Sequence, residues 1–385
     1  MKRVLALGTV AVALSFAVAH AAAGTNPNTL TLAVFGDSPY LDPSFPPHSE
    51  FNATPAFIDT INADSSVEEV VHVGDIHSGS EPCTVAYDQS IYNLWTAVQQ
   101  PLVYTPGDNE WSDCTKVKEE PGSDFDNVLT HPDMPLEMLG VIRNIFFANP
   151  GRTLGQHPMQ VISQAIAYDP AFPTDARYVE NVMWEQSKTL FVTLNLPGGS
   201  NNDIDPWYAK THPAPWNPDQ PIEMAQRTGA DVRWLNKAFA MAEADNAHGV
   251  VIIGQADMWD TADAPAHQTN YEPIVAAMAS NSMKYGKPVL YLNGDSHVYR
   301  SDNPLQPHST CHTEVDPCTK DAWLQHPNPH YNVPNFHRIV VHGSTFPMEW
   351  LKLSIDPRAA WENASTPTSW GPFSWERKTQ TQLTP

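Results

Sequence analysis

Residues 67–79 read VEEVVHVGDIHSG. A valine-rich run stops at Gly74, and Asp75 and His77 follow at once. Short β-branched runs that end in a glycine are the signature of buried strands, because such side chains pack on a pleated surface and glycine tolerates the turn. The same arrangement occurs four more times. LTLAVF (30–35) leads into GDSP (36–39), and PLVYT (101–105) into PGDNEW (106–111). GVVII (249–253) leads into GQADMW (254–259), and PVLYLN (288–293) into GDSHVYR (294–300). Three further runs, TLFVTLN (189–195), HRIVVH (337–342) and WLKLSI (350–355), complete a predicted set of eight strands.

Helices are predicted between them at 85–98, 135–148, 221–245 and 272–284. Strands alternating with helices indicate an α/β fold with much parallel sheet. The 36 prolines concentrate in stretches such as 41–48, 212–221 and 325–334, which read as long surface loops on that scaffold. No repeat and no linker divides the chain, so residues 22–385 are expected to form a single domain.

Residues 1–21 read as a secretory signal peptide. Lys2 and Arg3 precede an apolar run from Val4 to Val18, and Ala19-His20-Ala21 offers a small-x-small cleavage site. A secreted or periplasmic location follows, and no later stretch approaches the roughly 18 apolar residues of a membrane span. The formal charge is −22, and removing Lys2 and Arg3 takes it to −24. A chain this acidic has no general attraction for nucleic acid or anionic lipid. Four cysteines behind an export signal suggest two disulfides, with three connectivities open. Cys311–Cys318 is preferred because only six residues separate them, which leaves Cys83–Cys114. A zinc site is the rival reading, but no CxxC spacing is present.

A Gly-Asp after a strand is by itself a common turn, since aspartate bonds its own backbone. Four Gly-Asp turns and one Gly-Gln turn, each directly after an apolar run, ask for more. Ligands gather outside the carboxyl ends of strands in open α/β sheets. If these strands are neighbours, Asp37, Asp75, Asp108 and Asp295 converge with His77, His297 and Gln255. Four carboxylates in one crevice repel one another and lose hydration, and divalent cations remove that conflict.

The order and spacing of these turns resemble the calcineurin-like metallophosphoesterases. That family carries in order an Asp-x-His, a Gly-Asp, a Gly-Asn-His-Asp/Glu, a single His and a Gly-His-x-His. The separations here are 38 residues from Asp37 to Asp75 and 33 from Asp75 to Asp108. The resemblance spans about residues 30 to 355 and implies a metallophosphoesterase-like αββα sandwich, here with long Pro-rich loops. It also implies two divalent metal ions and hydrolysis of phosphate esters by a metal-bridging hydroxide, with Asp75 bridging. Asp37 and His297 match ligands of the first metal. Asp108 stands where the family has the second-metal Asn, Gln255 where it has the single His, and Asp295 at the first His of the last motif. Pro39 occupies the His position of Asp-x-His, and His77 is a candidate replacement. Asn109 occupies the place of the catalytic His; it can donate a hydrogen bond but cannot act as a general acid near neutral pH.

The four carboxylates against two divalent ions leave about no net charge, where the family's two aspartates leave about +2. An oxygen-rich ligand set favours Mn, Mg or Ca over Zn, with Fe also compatible. Asn109, Arg300 and Asn202 are candidate contacts to a phosphate-ester substrate, whose class and whether it is a monoester or diester are not read from the sequence. The glycine-rich stretch 195–203 that contains Asn202 reads at least as well as a turn as it does as an anion cradle. The alternative function is a weakly active or non-catalytic metal- and oxyanion-binding protein on the same fold. There is no GxSxG elbow, P-loop, HExxH helix or GxGxxG turn after the first strand to support another chemistry.

Overall fold

The eight apolar runs are strands, and they divide between two sheets. The computed structural model describes residues 29–40, 49–115, 123–125, 131, 134–202, 207, 217–314, 318, 320–361 and 365–380. The signal peptide expected at 1–21 lies outside the described residues, as do the proline-rich stretch 41–48 and residues 212–216 of the stretch 212–221.

The first sheet begins with β1 (Leu30–Phe35), β2 (Glu69–His72) and β3 (Leu102–Tyr104), which are parallel neighbours. The second sheet follows, from β4 (Ile162–Ser163), β5 (Val182–Gln186), β6 (Thr189–Thr193), β7 (Gly249–Ile253), β8 (Val289–Asn293), β9 (Arg300–Asp302), β10 (His312–Thr313) and β11 (Phe336–Val340). The chain then returns to the first sheet with β12 (Glu349–Ile355), β13 (Ser365–Thr366), β14 (Ser369–Trp370) and β15 (Phe373–Thr379). The spatial orders are β13-β14-β15-β12-β1-β2-β3 and β10-β9-β11-β8-β7-β6-β5-β4. Strands β6, β7, β8 and β11 run parallel.

Alternate residues of a strand face opposite ways, and here both faces are covered. Leu30, Leu32 and Val34 of β1 pack with Phe191, Val251, Ile253, Leu290 and Leu292 of the second sheet. Ala33 and Phe35 face the helices Glu50–Ala63, Val85–Trp95 and Met134–Phe146 through residues such as Phe57, Trp95 and Phe146. On the far side, Leu190, Val250 and Val289 pack against the helices Asp219–Ala244 and Glu272–Tyr285 through Trp234, Phe239 and Met278. The result is four layers, helix–sheet–sheet–helix. Burial on both faces is why β1, β6, β7 and β8 read as apolar runs.

Several elements were not anticipated, among them one helix, one hairpin and the long last strand. The helix Glu50–Ala63 contains Pro55 and follows a proline-rich stretch; Ser49 Oγ caps it by accepting from the Asn52 N–H at 3.2 Å. The β5–β6 hairpin turns on Ser187 and Lys188, both at positive φ, without the Asn-Gly that usually marks such a turn. Strand β15 alternates buried Phe373 and Trp375 with exposed Ser374 and Glu376, so it offers no continuous run.

Buried titratable groups beyond the convergent carboxylates give a pH signature. Burial raises Glu69, which accepts only a Trp184 indole hydrogen bond, to about 8, and raises Asp231 to about 8 despite Arg227. Acids raised on folding take up protons in the native state, so stability grows as pH falls through 8. Burial lowers His72 to about 4 and His337 to about 3, so these favour the native state only above their unfolded value near 6.5. Above about pH 6.5 only the acids act, so the melting temperature is expected to decline as pH rises from there through 8. A thermal-melt series on Glu69→Gln should show a shallower decline over that range; an unchanged decline would remove Glu69 from the account.

Candidate metal centre

Strand register brings the five turns together. Phe35 pairs with His72 and His72 with Tyr104, so β1, β2 and β3 end level; Ile253 pairs with Leu292, so β7 and β8 do too. The turns then bond one another: Asp37 N–H to the Gly74 carbonyl at 2.9 Å, Ser38 N–H to the Asp75 carbonyl at 2.9 Å, and Gly294 N–H to the Gln255 carbonyl at 3.0 Å. Thr105 Oγ1 donates to the Leu194 carbonyl at 3.0 Å and ties the first sheet to the second.

Asp37, Asp75, Asp295 and His297 all have positive φ, between 48° and 76°. Non-glycine residues enter this region at a cost of about 1–2 kcal/mol each, and such conformations cluster at functional sites. The backbone must come very close at Gly107, where an added Cβ would lie 1.9 Å from Asp75 Oδ1. It must do so again at Gly294, where the distance to Asp37 Oδ2 would be 2.3 Å. These glycines let the carboxylates point into the crevice.

Among the described residues, one group of side chains offers convergent metal-ligating atoms. Asp37, Asp75 and His297 each present one ligand atom, and these lie within 4.8 Å of one another. Asp37 and Asp75 are buried, and His297 is partly exposed. Asp37 Oδ1 accepts the Asp295 N–H at 2.8 Å, whereas Asp37 Oδ2 is buried without a hydrogen-bond partner. Burial pushes Asp37 up to about 6, with His297 and the Asp295 N–H drawing it back. Burial, then the charges of Asp108, Glu110, Asp37 and Asp295, hold Asp75 well above the ordinary carboxylate range. Burial followed by Asp108 does the same to Asp295. A buried, unpartnered carboxylate oxygen beside a second carboxylate and an imidazole is chemically a cation site, and this donor set fits one divalent ion.

The remaining predicted residues take different positions. Asp108 Oδ1 and Asp75 Oδ2 both accept from Gln255 Nε2, at 2.8 and 3.0 Å. Asp295 Oδ2 accepts the Asp257 N–H at 2.8 Å. His77 is buried, donates from Nδ1 to the Ser78 carbonyl at 3.0 Å, and stands outside the convergent three. Asn109 donates its N–H to Asp75 Oδ1 at 3.2 Å and its Nδ2 hydrogen to Tyr40 Oη at 3.3 Å. Arg300 is bound to Asp302 at 2.5 Å and to the Lys320 carbonyl at 2.8 Å. Asn202 is bound to Glu223 at 2.9 Å and to the Trp207 indole at 3.1 Å. These two predicted substrate contacts thus hold structural partners. Both predicted disulfides are present, Cys83–Cys114 and Cys311–Cys318.

Four residues that the motif reading passed over shape the site. Tyr40 is buried, and its hydroxyl lies 3.3 Å from His297 Nε2. Its place three residues after Asp37 was the only signal in the sequence. His72 accepts the Gly74 N–H at Nδ1 (3.1 Å) and donates from Nε2 to the Ser38 carbonyl (2.8 Å), joining the first two turns. Glu110 accepts from Tyr104 Oη at 2.5 Å and from the Gly107 N–H at 2.7 Å, which fixes the third turn. Arg338, ion-paired to Asp257 and Asp302, holds the loop that supports Asp295.

No known protein-family model matches the chain, and no curated protein matches it in sequence. Among solved structures it is similar to the purple acid phosphatase PPD1 isolated from yellow lupin (Lupinus luteus) seeds, at 11% identity over 92% of this chain and 52% of that one, with a TM-score of 0.45. It is also similar to PhoD, at 13% identity over 94% and 72% with a TM-score of 0.49. For the NAD nucleotidase NadN of Haemophilus influenzae the values are 12% identity over 85% and 47%, with a TM-score of 0.37. The chain spans about half the length of the lupin and Haemophilus proteins. Its own architecture, two face-to-face sheets sheathed by helices with the Gly-containing turns meeting at the strand ends, is an αββα sandwich.

Proposed function

We propose that this chain is a metal-dependent hydrolase of phosphate esters, whose cation is held by Asp37, Asp75 and His297. The observation that carries the reading is the convergence of those three ligand atoms around the unpartnered Asp37 Oδ2. Two carboxylates and one imidazole favour Mn, Mg or Ca over Zn, with Fe compatible. When bound, such a cation supplies Lewis-acid polarisation of the phosphoryl group and a more acidic water.

The chain's own residues do the rest. His297 is the partly exposed member of the three and marks the side from which substrate arrives. Burial, then Asp75, Asp37 and Asp108, hold the Tyr40 hydroxyl well above the ordinary phenol range, so it stays protonated. Asn109 donates to that hydroxyl and leaves its proton free to bond an oxygen of the ester. Asn109 and Tyr40 thus orient and bond the phosphoryl oxygens beside the cation.

A second reading, a metal- and oxyanion-binding protein with little turnover, is supported by the same pair. Asn109 cannot act as a general acid, and a phenol raised this far is a poor one. A Mn-supplemented assay on aryl phosphate monoesters and diesters, run with metal analysis, separates the two. Turnover that requires Mn supports the hydrolase; no turnover at full occupancy supports the binder.

Export through residues 1–21 belongs to the same proposal. The two disulfides suit an oxidising compartment, and among the described residues no helix is long and apolar enough to cross a membrane.

A further inference from the structure

The pattern that this chain resembles implies a second cation between Asp75 and Asp108, and the side chain that meets both carboxylates is Gln255. Gln255 is fully buried. Its Nε2 lies 3.0 Å from Asp75 Oδ2 and 2.8 Å from Asp108 Oδ1. Its Oε1 accepts the Gly198 N–H at 2.6 Å. A backbone N–H can only donate, so this last bond decides which end of the amide is oxygen. The end facing the carboxylates is therefore the NH2 group, which has no lone pair to give a metal.

Turning the amide over would set its NH2 against the Gly198 N–H and its oxygen against two carboxylates. Three hydrogen bonds would be lost, two of them charge-assisted. Gly198 cannot move aside to permit this. An added Cβ there would lie 2.6 Å from Asp295 Oδ1 and 2.9 Å from Asp108 Oδ2. The segment after it, residues 199–202, runs through consecutive positive φ values and is clamped by Arg227. Arg227 donates to Asn201 Oδ1 at 2.6 Å and to the Asn195 carbonyl at 3.2 Å. Before Gly198, Tyr271 Oη holds the Pro197 carbonyl at 2.8 Å. Gly198 thus presents its N–H from a fixed backbone.

We propose that the centre is mononuclear: the Gln255 carboxamide stands where a second cation would bridge Asp75 and Asp108, and its two N–H groups neutralise part of their charge. This rests on the cation site formed by Asp37, Asp75 and His297. Asp108 is then a hydrogen-bond acceptor that holds Gln255, not a metal ligand. Asp295 supports the site through its N–H bond to Asp37, with its own Oδ2 engaged by Asp257.

Manganese stoichiometry with electron paramagnetic resonance tests this on the full chain. The wild type should saturate at one Mn per chain with the spectrum of an isolated ion. Asp108→Asn should keep that single ion. Gln255→Glu, which replaces the donor with a carboxylate, should admit a second. Two ions in the wild type with an exchange-coupled spectrum, or loss of an ion in Asp108→Asn, would overturn the mononuclear proposal and leave the metal-dependent reading standing. A wild type that binds no Mn would overturn both.

Discussion

Asp75→Asn should abolish Mn binding and lower ester hydrolysis by about a thousandfold or more, the scale on which removing one electrostatic group from a preorganised site acts. The substitution is isosteric, and the new Oδ1 can still accept the Asn109 N–H. It costs one bond from Gln255, which keeps Asp108. It also replaces with a neutral amide an acid that burial and neighbouring carboxylates already hold well above its ordinary range. The metal-free variant should therefore melt at or above the metal-free parent, and Mn should raise the melting temperature of the parent alone. Calorimetry with and without Mn reads this directly. A variant that unfolds would show Asp75 to be needed for the fold, and a variant that still takes up Mn would remove it from the ligand set.

Breaking the first disulfide should have the next largest effect. Cys83 and Cys114 are 31 residues apart, and closing a loop of that size stabilises by roughly 3–4 kcal/mol. The bridge also lies directly behind the third turn. The Asn109 carbonyl is 3.5 Å from Cys83 Sγ and 3.8 Å from Cys114 Sγ. Both cysteines pack with Trp111, Met134, Met138, Leu139 and Trp207. Cys83→Ser with Cys114→Ser should thus lower denaturant stability by that amount and loosen Asn109 and Asp75, reducing Mn affinity as well. Equal stability of the double variant and the parent would contradict this.

Strands such as β1, β6, β7 and β8 were legible because each is buried on both faces, so its sequence is an apolar run; β12, with Lys352 and Ser354 only half-buried, was legible from Trp350, Leu351, Leu353 and Ile355. Four helices were legible from the spaces between. What stayed hidden had no such run: β15 alternates, the β5–β6 turn uses Ser187-Lys188, and the helix Glu50–Ala63 carries a proline. The proposed metal-ligating residues are visible in the sequence as types at strand ends, since Gly-Asp turns recur there. Their division of labour was not. Motif order placed Gln255 among the ligands, but only the Gly198 N–H reveals which end of its amide faces the carboxylates. Arg300 and Asn202 looked available because sequence does not show Asp302, Glu223 or Trp207 beside them. Tyr40 and His72 carry no motif, and their roles come from the pairing of the first two turns.

The most direct test is an anomalous-difference map from crystals of the full chain soaked in Mn. A strong peak within about 2.5 Å of Asp37, Asp75 and His297 together is the predicted result. The absence of a peak there, or Mn bound elsewhere with those three side chains uninvolved, would contradict the metal centre on which the proposed hydrolysis rests.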